Sequence, residues 1–413
     1  MGGIDKRNFS RTSDQKVMND NFHTIALLGG VFLVLALVST VIYSLRKRRD
    51  MGIDAAVLDT FRSRILAWWL LFGMLAGSFL FGNIMTVLLF GLISFWALRE
   101  YITLTPIRRA DNSTLFWVFF LCMPLQFLLV AIDPTWFARY FIVSPYLIFS
   151  IFIPAYAFLV IPAAIAVSGD AKHFLERIAK IQVGLLICVY SFSFAPALLT
   201  MPFPTPETTH EVAGVMQGGL LDNAVENAVK AATDTVTGIA TIQENDTVTS
   251  ATSNSLQETG NITVQATSQT PINHQTGRAL RLLFFFVLIV QAGDVFQYLW
   301  SHIPRRHVVA PSINSTRTWE GVLGGAATNA LFATSLWSVT PFHEWWQAAV
   351  GGFLVSLMGF AGNLTMSAIK RDRGVDDFGS LIEGHNGVLD RIDSLCFAAP
   401  VFYHFVWLCL HTA

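Results

Sequence analysis

Long apolar runs separated by short polar loops dominate this chain. A helix rises about 1.5 Å per residue, so roughly 20 apolar residues cross a hydrocarbon core of about 30 Å. The run over Ile65–Leu98 is too long for one crossing and is interrupted at Gly82 and Asn83, which predicts a hairpin of two short spans. The pattern predicts about ten transmembrane helices in all: His23–Ser44, two within Ile65–Leu98, Leu115–Ile132, Tyr140–Val167, Ile181–Thr200, Leu280–Trp300, Gly321–Val339, Trp345–Ile369 and Ser394–Leu410.

Composition supports the same fold class. The chain is 53% hydrophobic and 13% charged, whereas a soluble protein carries about 25% charged residues. We therefore predict an all-α polytopic membrane protein whose polar active site lies at the cytoplasmic face. A net charge of −1 gives no reason to expect nucleic-acid binding. The four cysteines lie in apolar runs without metal-type spacing and are interpreted as core thiols.

Lysine and arginine are concentrated in alternate loops, which predicts that those loops are cytoplasmic. The N-terminal tail, with its own four Lys and Arg residues, fits this orientation poorly. The long polar stretch Met201–Gly277 is poor in aromatic residues and is predicted to be an extracytoplasmic, disordered insert. Four regions follow: a tail with an extra helix (1–60), an N-terminal transmembrane region (61–200), the insert (201–279) and a catalytic transmembrane region (280–413).

A dense polar cluster, Ser367–Asp393, lies between two strongly apolar segments. A solvated loop anchored to lipid headgroups would account for Lys370 and Arg371. For Asp393 alone, capping of a helix N-terminus is an equally good explanation. Asp377, Asp390 and Asp393 together would repel one another unless a divalent cation neutralised them, and oxygen ligands suit Mg²⁺. The cluster therefore predicts a metal site.

This cluster resembles the signature of the CDP-diacylglycerol synthase (phosphatidate cytidylyltransferase) family, and the chain looks like a divergent bacterial-type branch. The departures from that signature are Asp376 for Lys, Glu383 for Pro and Asn386 for Gly, and Asn363 stands where common members have Asp. The matching positions, in order and spacing, are Ser367, Lys370, Arg371, Asp377, Gly379, Gly384, His385, Gly387, Asp390, Arg391 and Asp393.

Two upstream stretches extend the resemblance. Asp294 lies inside a predicted span, where an acid costs roughly 2.5–3.5 kcal/mol, so it is a functional candidate unless it reaches the interface. With Gln297 and Tyr298 it resembles the family's Asp-x-x-Ala-Tyr. The stretch that follows resembles the family's Ile-Ser-Pro-Lys-Lys-Thr-Trp-Glu-Gly, with Arg317, Thr318, Trp319, Glu320 and Gly321 in register and departures at Asn314, Ser315 and Thr316.

The resemblance implies transfer of the cytidylyl group of CTP to phosphatidate. It implies Mg²⁺, with room for a monovalent cation, held by Asp377, Asp390 and Asp393. Lys370, Arg371 and Arg317 would bind phosphate, and His385 would contact CTP or phosphate. The implied partners are CTP, phosphatidate and the bilayer, without nucleic acid, and a homodimer stays open. Further substrate contacts are expected from Thr318, Glu320, Asp294, Tyr298, Ser367 and Arg391. The expected location is the bacterial cytoplasmic (inner) membrane, with the site facing the cytoplasm.

Three other functions are compatible with parts of the sequence. A CTP-dependent kinase of a lipid alcohol would also need CTP, Mg²⁺ and a membrane domain. The departures from the signature keep open a catalytically degenerate protein retained as a membrane partner. A transporter is disfavoured, because the ionisable groups gather at one membrane face rather than along a path across it.

Overall fold

In the first half of the chain, the described residues form five long helices. The computed structural model describes residues 29–33, 35–40, 43–44, 55–104, 111–132, 137, 145–167, 172–201, 203, 272–302, 307–375 and 387–411. A helical segment at Gly29–Thr40 precedes the five. They are α1 (Ala55–Leu80), α2 (Asn83–Leu104), α3 (Asn112–Ala131), α4 (Pro145–Val167) and α5 (Phe174–Thr200).

In the second half, the described residues form four helices and one small hairpin. The strands β1 and β2 pair antiparallel, with Val308 opposite Thr318 and Ala310 opposite Asn314. A short 3₁₀ turn, Trp337–Val339, follows α7. The elements are α6 (Ile272–Ser301), β1 (Val308–Ala310), β2 (Asn314–Thr318), α7 (Trp319–Ser335), α8 (Trp345–Arg373) and α9 (Leu389–His411).

Seven of the described helices are long and apolar enough to cross a membrane: α2, α3, α4, α5, α6, α8 and α9. The other three predicted spans coincide with the helical segment Gly29–Thr40, with α1 and with the 17-residue α7. The predicted class, an all-α polytopic membrane protein, is therefore confirmed. The predicted break between α1 and α2 is also confirmed, since Gly82 has φ of 95°, a conformation that suits glycine.

Helix α6 is the centre of the bundle because its middle is apolar on every side. The run from Leu282 to Val287 is at most 1% exposed. Phe284 stacks on Phe72 of α1, with ring centroids 6.1 Å apart, and Phe286 stacks on Phe402 of α9 at 5.0 Å. Asp294 therefore stands near the end of a helix that neighbours on both sides hold in place.

Glycines let the helices of the second half approach closely. A β-carbon placed on Gly325 of α7 would lie 2.7 Å from the Cα of Gln297 on α6. One placed on Gly352 of α8 would lie 2.9 Å from the carbonyl oxygen of Asn329, and one on Gly362 would lie 2.7 Å from that of Asp393. Small residues at crossings and side-chain amides as bridges are typical of membrane helix packing. Accordingly, the Gln297 amide donates to the Ser356 carbonyl (2.7 Å).

Three helices of the first half widen into a π-helical turn, at Val118–Cys122, Phe152–Ala157 and Leu186–Ser191. The second of these contains Pro154, whose missing N–H interrupts the α-helical ladder. Met1–Met201 and Asn273–Ala413 belong to one unit, from which Pro202–Ile272 is separate. Apart from Phe203 and Ile272, the second unit lies outside the described residues, so the disordered state of the insert stays a prediction.

Candidate active site

The end of α8 presents the basic part of the signature. Lys370, Arg371 and Arg373 occupy its last turn, where cations suit the helix dipole. Gly374 then takes the left-handed conformation (φ 67°), and the Val375 N–H donates to the Lys370 carbonyl at 3.1 Å. This glycine-based cap ends the helix at Arg373, four residues beyond the predicted end of the span at Ile369.

The start of α9 presents the acidic part. Asp390 and Asp393 are three residues apart, so both lie on one face of the helix. The Lys370 ammonium group of α8 donates to Asp390 Oδ1 at 2.9 Å, with side chains that are 20% and 7% exposed respectively. The two ends of the signature are therefore joined directly, on either side of residues 376–386, which lie outside the described residues.

Behind this ion pair, three helices contribute to one hydrogen-bonded cluster. The Asn363 amide of α8 donates to Asp294 Oδ1 of α6 at 3.0 Å and to Ser394 Oγ of α9 at 2.9 Å. The Ser394 hydroxyl donates to Asp294 Oδ2 at 2.7 Å. Asp393 is only 7% exposed, and its Oδ1 accepts the backbone N–H of Ser394 at 2.7 Å. Asp294 is therefore held beside the acidic face of α9.

The β-hairpin closes one side of the site. Asn314 of β2 lies with its amide nitrogen 3.5 Å from Ser367 Oγ on α8, which brings a residue that departs from the family pattern against one that matches it. Thr318 caps α7, since its hydroxyl accepts the Gly321 N–H at 3.1 Å. Arg317, half-buried, precedes it on the strand.

Glu320 lies in the first turn of α7 and belongs to the same side. His307 Nδ1 donates to Glu320 Oε1 at 2.8 Å, and this hydrogen bond lowers the pKa of the Glu320 carboxyl. The interaction therefore contributes above the ordinary pKa of a glutamate and is lost as the pH falls through the lowered value. Glu320 thus stays ionised at neutral pH.

The predicted site residues lie in several parts of the structure. The structure brings together Asp294, Lys370, Asp390 and Asp393. Along the hairpin side lie Ser367, Arg317, Thr318 and Glu320. Arg371 is exposed on the last turn of α8. Tyr298 lies one turn beyond Asp294, and its ring centroid is 4.4 Å from that of His302. Arg391 follows Asp390 on α9. Asp377 and His385 lie outside the described residues.

Among the described residues, no group of three or more His, Cys, Asp or Glu side chains could hold a metal ion by itself. A metal site with three carboxylates would therefore need Asp377 to complete it; with two carboxylates, a substrate phosphate could supply further oxygen ligands. The fit is otherwise chemically sound, because Asp390 and Asp393 supply the oxygen ligands that Mg²⁺ prefers.

Two contacts in this region were not predicted. Ser394, which links Asp294 to α9, looks like any small polar residue at the edge of an apolar run. Glu100 of α2 accepts the backbone N–H groups of Val388 and Leu389, at 3.0 and 2.8 Å. The sequence offers one hint of the Glu100 contact. Val388, the residue before α9, has no side-chain oxygen with which to cap a helix.

The fold and this site define an integral membrane protein with a charged cluster built where three apolar helices meet. The chain belongs to the cytidylyltransferase family, whose model matches residues 62–409.

Several relatives extend this result. The chain is 29% identical to a protein of Escherichia coli named "Uncharacterized protein YnbB", over 84% of this chain and 88% of that one. It is 33% identical to a phosphatidate cytidylyltransferase of Haemophilus influenzae and 36% identical to one of Synechocystis. Those two matches cover 33% and 34% of this chain, and 49% and 47% of the relatives. The chain thus matches about half the length of these two enzymes.

Proposed function

We propose that this protein transfers the cytidylyl group of CTP to phosphatidate, giving CDP-diacylglycerol and pyrophosphate. The observation that supports this best is the junction of α8 and α9, where the Lys370–Asp390 ion pair stands beside Asp393 and Asp294 at the end of apolar helices. A lipid phosphate needs cations at the membrane surface, and a nucleotide triphosphate needs both cations and metal-binding carboxylates. Both requirements meet at this junction.

In the proposed reaction a phosphate oxygen of phosphatidate attacks the α-phosphorus of CTP. A new phosphorus–oxygen bond forms, the bond between the α-phosphorus and the bridging oxygen breaks, and pyrophosphate leaves with that oxygen. No covalent bond to the protein is required. The protein's contribution is to align the two phosphates and to neutralise their charge.

Each group has a role that follows from its position. Lys370, Arg371 and Arg317 bind phosphate oxygens, and Lys370 can exchange its bond to Asp390 for one to substrate. Asp390 and Asp393, with Asp377, would hold Mg²⁺. When bound, this ion supplies charge neutralisation for the triphosphate. Asp294 and Asn363 hold the α9 end of the cluster in place through Ser394.

Further substrate contacts are proposed along the hairpin and the signature: Thr318, Glu320, Tyr298, Ser367, Arg391 and His385. A monovalent cation beside Mg²⁺ and assembly as a homodimer belong to the same proposal. The acyl chains of phosphatidate would stay in the bilayer, among the exposed apolar side chains of the bundle. We propose further that the membrane is the bacterial inner membrane and that the site faces the cytoplasm, where CTP is available.

The test uses purified full-length protein in detergent with phosphatidate, Mg²⁺ and CTP labelled at either the α- or the γ-phosphorus. Label from the α-position should appear in the lipid product, and pyrophosphate should be released in equal amount. Transfer of the γ-label to a lipid alcohol would replace the proposal with a CTP-dependent kinase. Absence of both transfers, in protein that is folded and binds CTP, would favour a catalytically degenerate membrane protein.

A further inference from the structure

Helix α9 begins after Val388, whose side chain has no oxygen with which to cap the helix. The Arg391 N–H donates to the Val388 carbonyl at 3.0 Å, which makes Val388 the residue that precedes the first turn. The first N–H groups of a helix have no partner inside it and need an acceptor. Ser, Thr, Asp or Asn usually supplies one at this position, and valine cannot.

A carboxylate from a distant helix supplies the acceptor instead. Glu100, near the end of α2, uses both oxygens: Oε1 accepts the Val388 N–H at 3.0 Å and Oε2 accepts the Leu389 N–H at 2.8 Å. The side chain is only 5% exposed, so these bonds are sheltered from water. A negative charge at a helix N-terminus also complements the helix dipole.

The Glu100 contact lies at the start of the helix that carries the acidic cluster, Asp390 and Asp393. Leu389 is followed directly by Asp390, which pairs with Lys370, and one turn later by Asp393 and Ser394, which bonds to Asp294. Fixing the N–H groups of Val388 and Leu389, at the start of α9, therefore fixes the direction in which these carboxylates leave the helix. Displacements of about 1 Å at a reacting centre can cost roughly 100-fold in rate.

We propose that Glu100 is a positioning residue for the cytidylyl transfer: it caps α9 from α2 and thereby sets the place of Asp390 and Asp393. This inference rests on the proposed function, although the cap itself can be tested without it. Glu100 acts through the backbone of α9 and has no role in binding substrate.

The test compares Glu100→Ala and Glu100→Gln with a matched control, Ser94→Ala. Ser94 lies on the same helix, is fully buried and donates to the Cys188 carbonyl of α5 at 2.7 Å, so its loss weakens the packing of α2 without touching α9. Glu100→Ala should lower kcat by roughly tenfold to 100-fold, with KM for phosphatidate changed less than about threefold. Glu100→Gln, which keeps one acceptor oxygen, should fall between the wild type and Glu100→Ala.

Adding a local cap should reverse the effect. Val388 is partly exposed, so the hydroxyl of Val388→Ser can cap the same turn by accepting the N–H of Asp390 or Arg391. Combined with Glu100→Ala, it should recover at least about threefold in kcat. A loss in Glu100→Ala no greater than in Ser94→Ala, or a loss that Val388→Ser leaves unchanged, would overturn the positioning role.

Hydrogen–deuterium exchange separates this inference from the proposed function. Amides of residues 388 and 389 should exchange faster in Glu100→Ala than in the wild type or in Ser94→Ala, whatever reaction the protein performs. Unchanged exchange at these two amides would contradict capping by Glu100. If the wild-type protein protects these amides from exchange but does not transfer the cytidylyl group, the proposed function is wrong, and so is the role of the cap in catalysis.

Discussion

Two ion pairs, one in each half of the chain, use the same chemistry in different surroundings. Arg177 of α5 donates through Nε to Asp111, just before α3, at 2.8 Å, and both side chains are sealed inside the bundle. Lys370 and Asp390 form the other pair, at 2.9 Å, and the lysine stays partly exposed. The first pair is expected to hold helices together, whereas the second can open toward a ligand.

The packing of the two halves differs as well. Aromatic rings fill the space between helices in both, as in the contacts of Phe90 with Phe192 at 5.1 Å and of Phe286 with Phe402 at 5.0 Å. In the second half, glycines bring backbones close together, and Asn363 links Asp294 to Ser394. The two packing modes suit different tasks, since close backbone contact fixes polar groups at a defined distance, whereas rings mainly supply apolar burial.

The largest expected effect is a loss of activity caused by a substitution in the second half of the chain. Asp390→Asn should lower cytidylyl transfer by roughly 10²–10³-fold, because it removes a carboxylate that is proposed to bind metal and to pair with Lys370. The melting temperature in detergent should stay near that of the wild type. Glu344→Gln, at the other end of α8, is the control. Activity within a few-fold of wild type would remove Asp390 from the site.

The counterpart in the first half should affect stability instead. Asp111→Asn leaves the Arg177 guanidinium buried without its carboxylate, which costs about 3–5 kcal/mol in other proteins. The prediction is a clear fall in melting temperature, with kcat per folded molecule close to wild type. If Asp111→Asn lowered kcat as much as Asp390→Asn does, the first pair would not have the purely structural role that is assigned to it here.

A smaller effect is expected from adding one methyl group to a glycine. Gly325→Ala should destabilise the protein by about 1–3 kcal/mol, because the new methyl meets the backbone of Gln297. Gly91→Ala in α2 is the matched change, since its methyl would meet only the Phe127 ring, at 3.5 Å. Thermal unfolding of both variants measures the difference. Equal destabilisation would show that close backbone contact is not special to the second half.

The smallest effect is predicted for the insert between the halves. Replacing 204–270 by a short flexible linker should change kcat by less than about twofold, since its composition cannot support a packed core. A cysteine substituted for Ser253 should react with a membrane-impermeant thiol reagent in intact cells. Loss of activity on shortening, or protection of that cysteine, would give the insert a part in the site or a different location.

The fold was easier to predict than the site because helix length depends on local composition. Apolar runs alone located the helices, and Gly82 marked the break between α1 and α2. Helix α5 starts at Phe174 rather than the predicted Ile181, because Arg177 finds a buried partner in Asp111 that the local pattern does not reveal. The contacts of Ser394 and Glu100 also depend on residues far away in the chain, so no local pattern could have shown them.

The bond between Glu100 and α9 has a consequence for how the protein is made. Its partners lie 288 and 289 residues downstream, so a ribosome completes most of the chain before this carboxylate can meet them. Until then the end of α2 must keep a charged group near the membrane surface, since burying it alone in lipid is costly. The acidic cluster likewise lacks Asp390, Asp393 and Ser394 until α9 inserts. Insertion of α9 is thus the step that completes this cluster, and a chain that stops before α9 lacks these three residues.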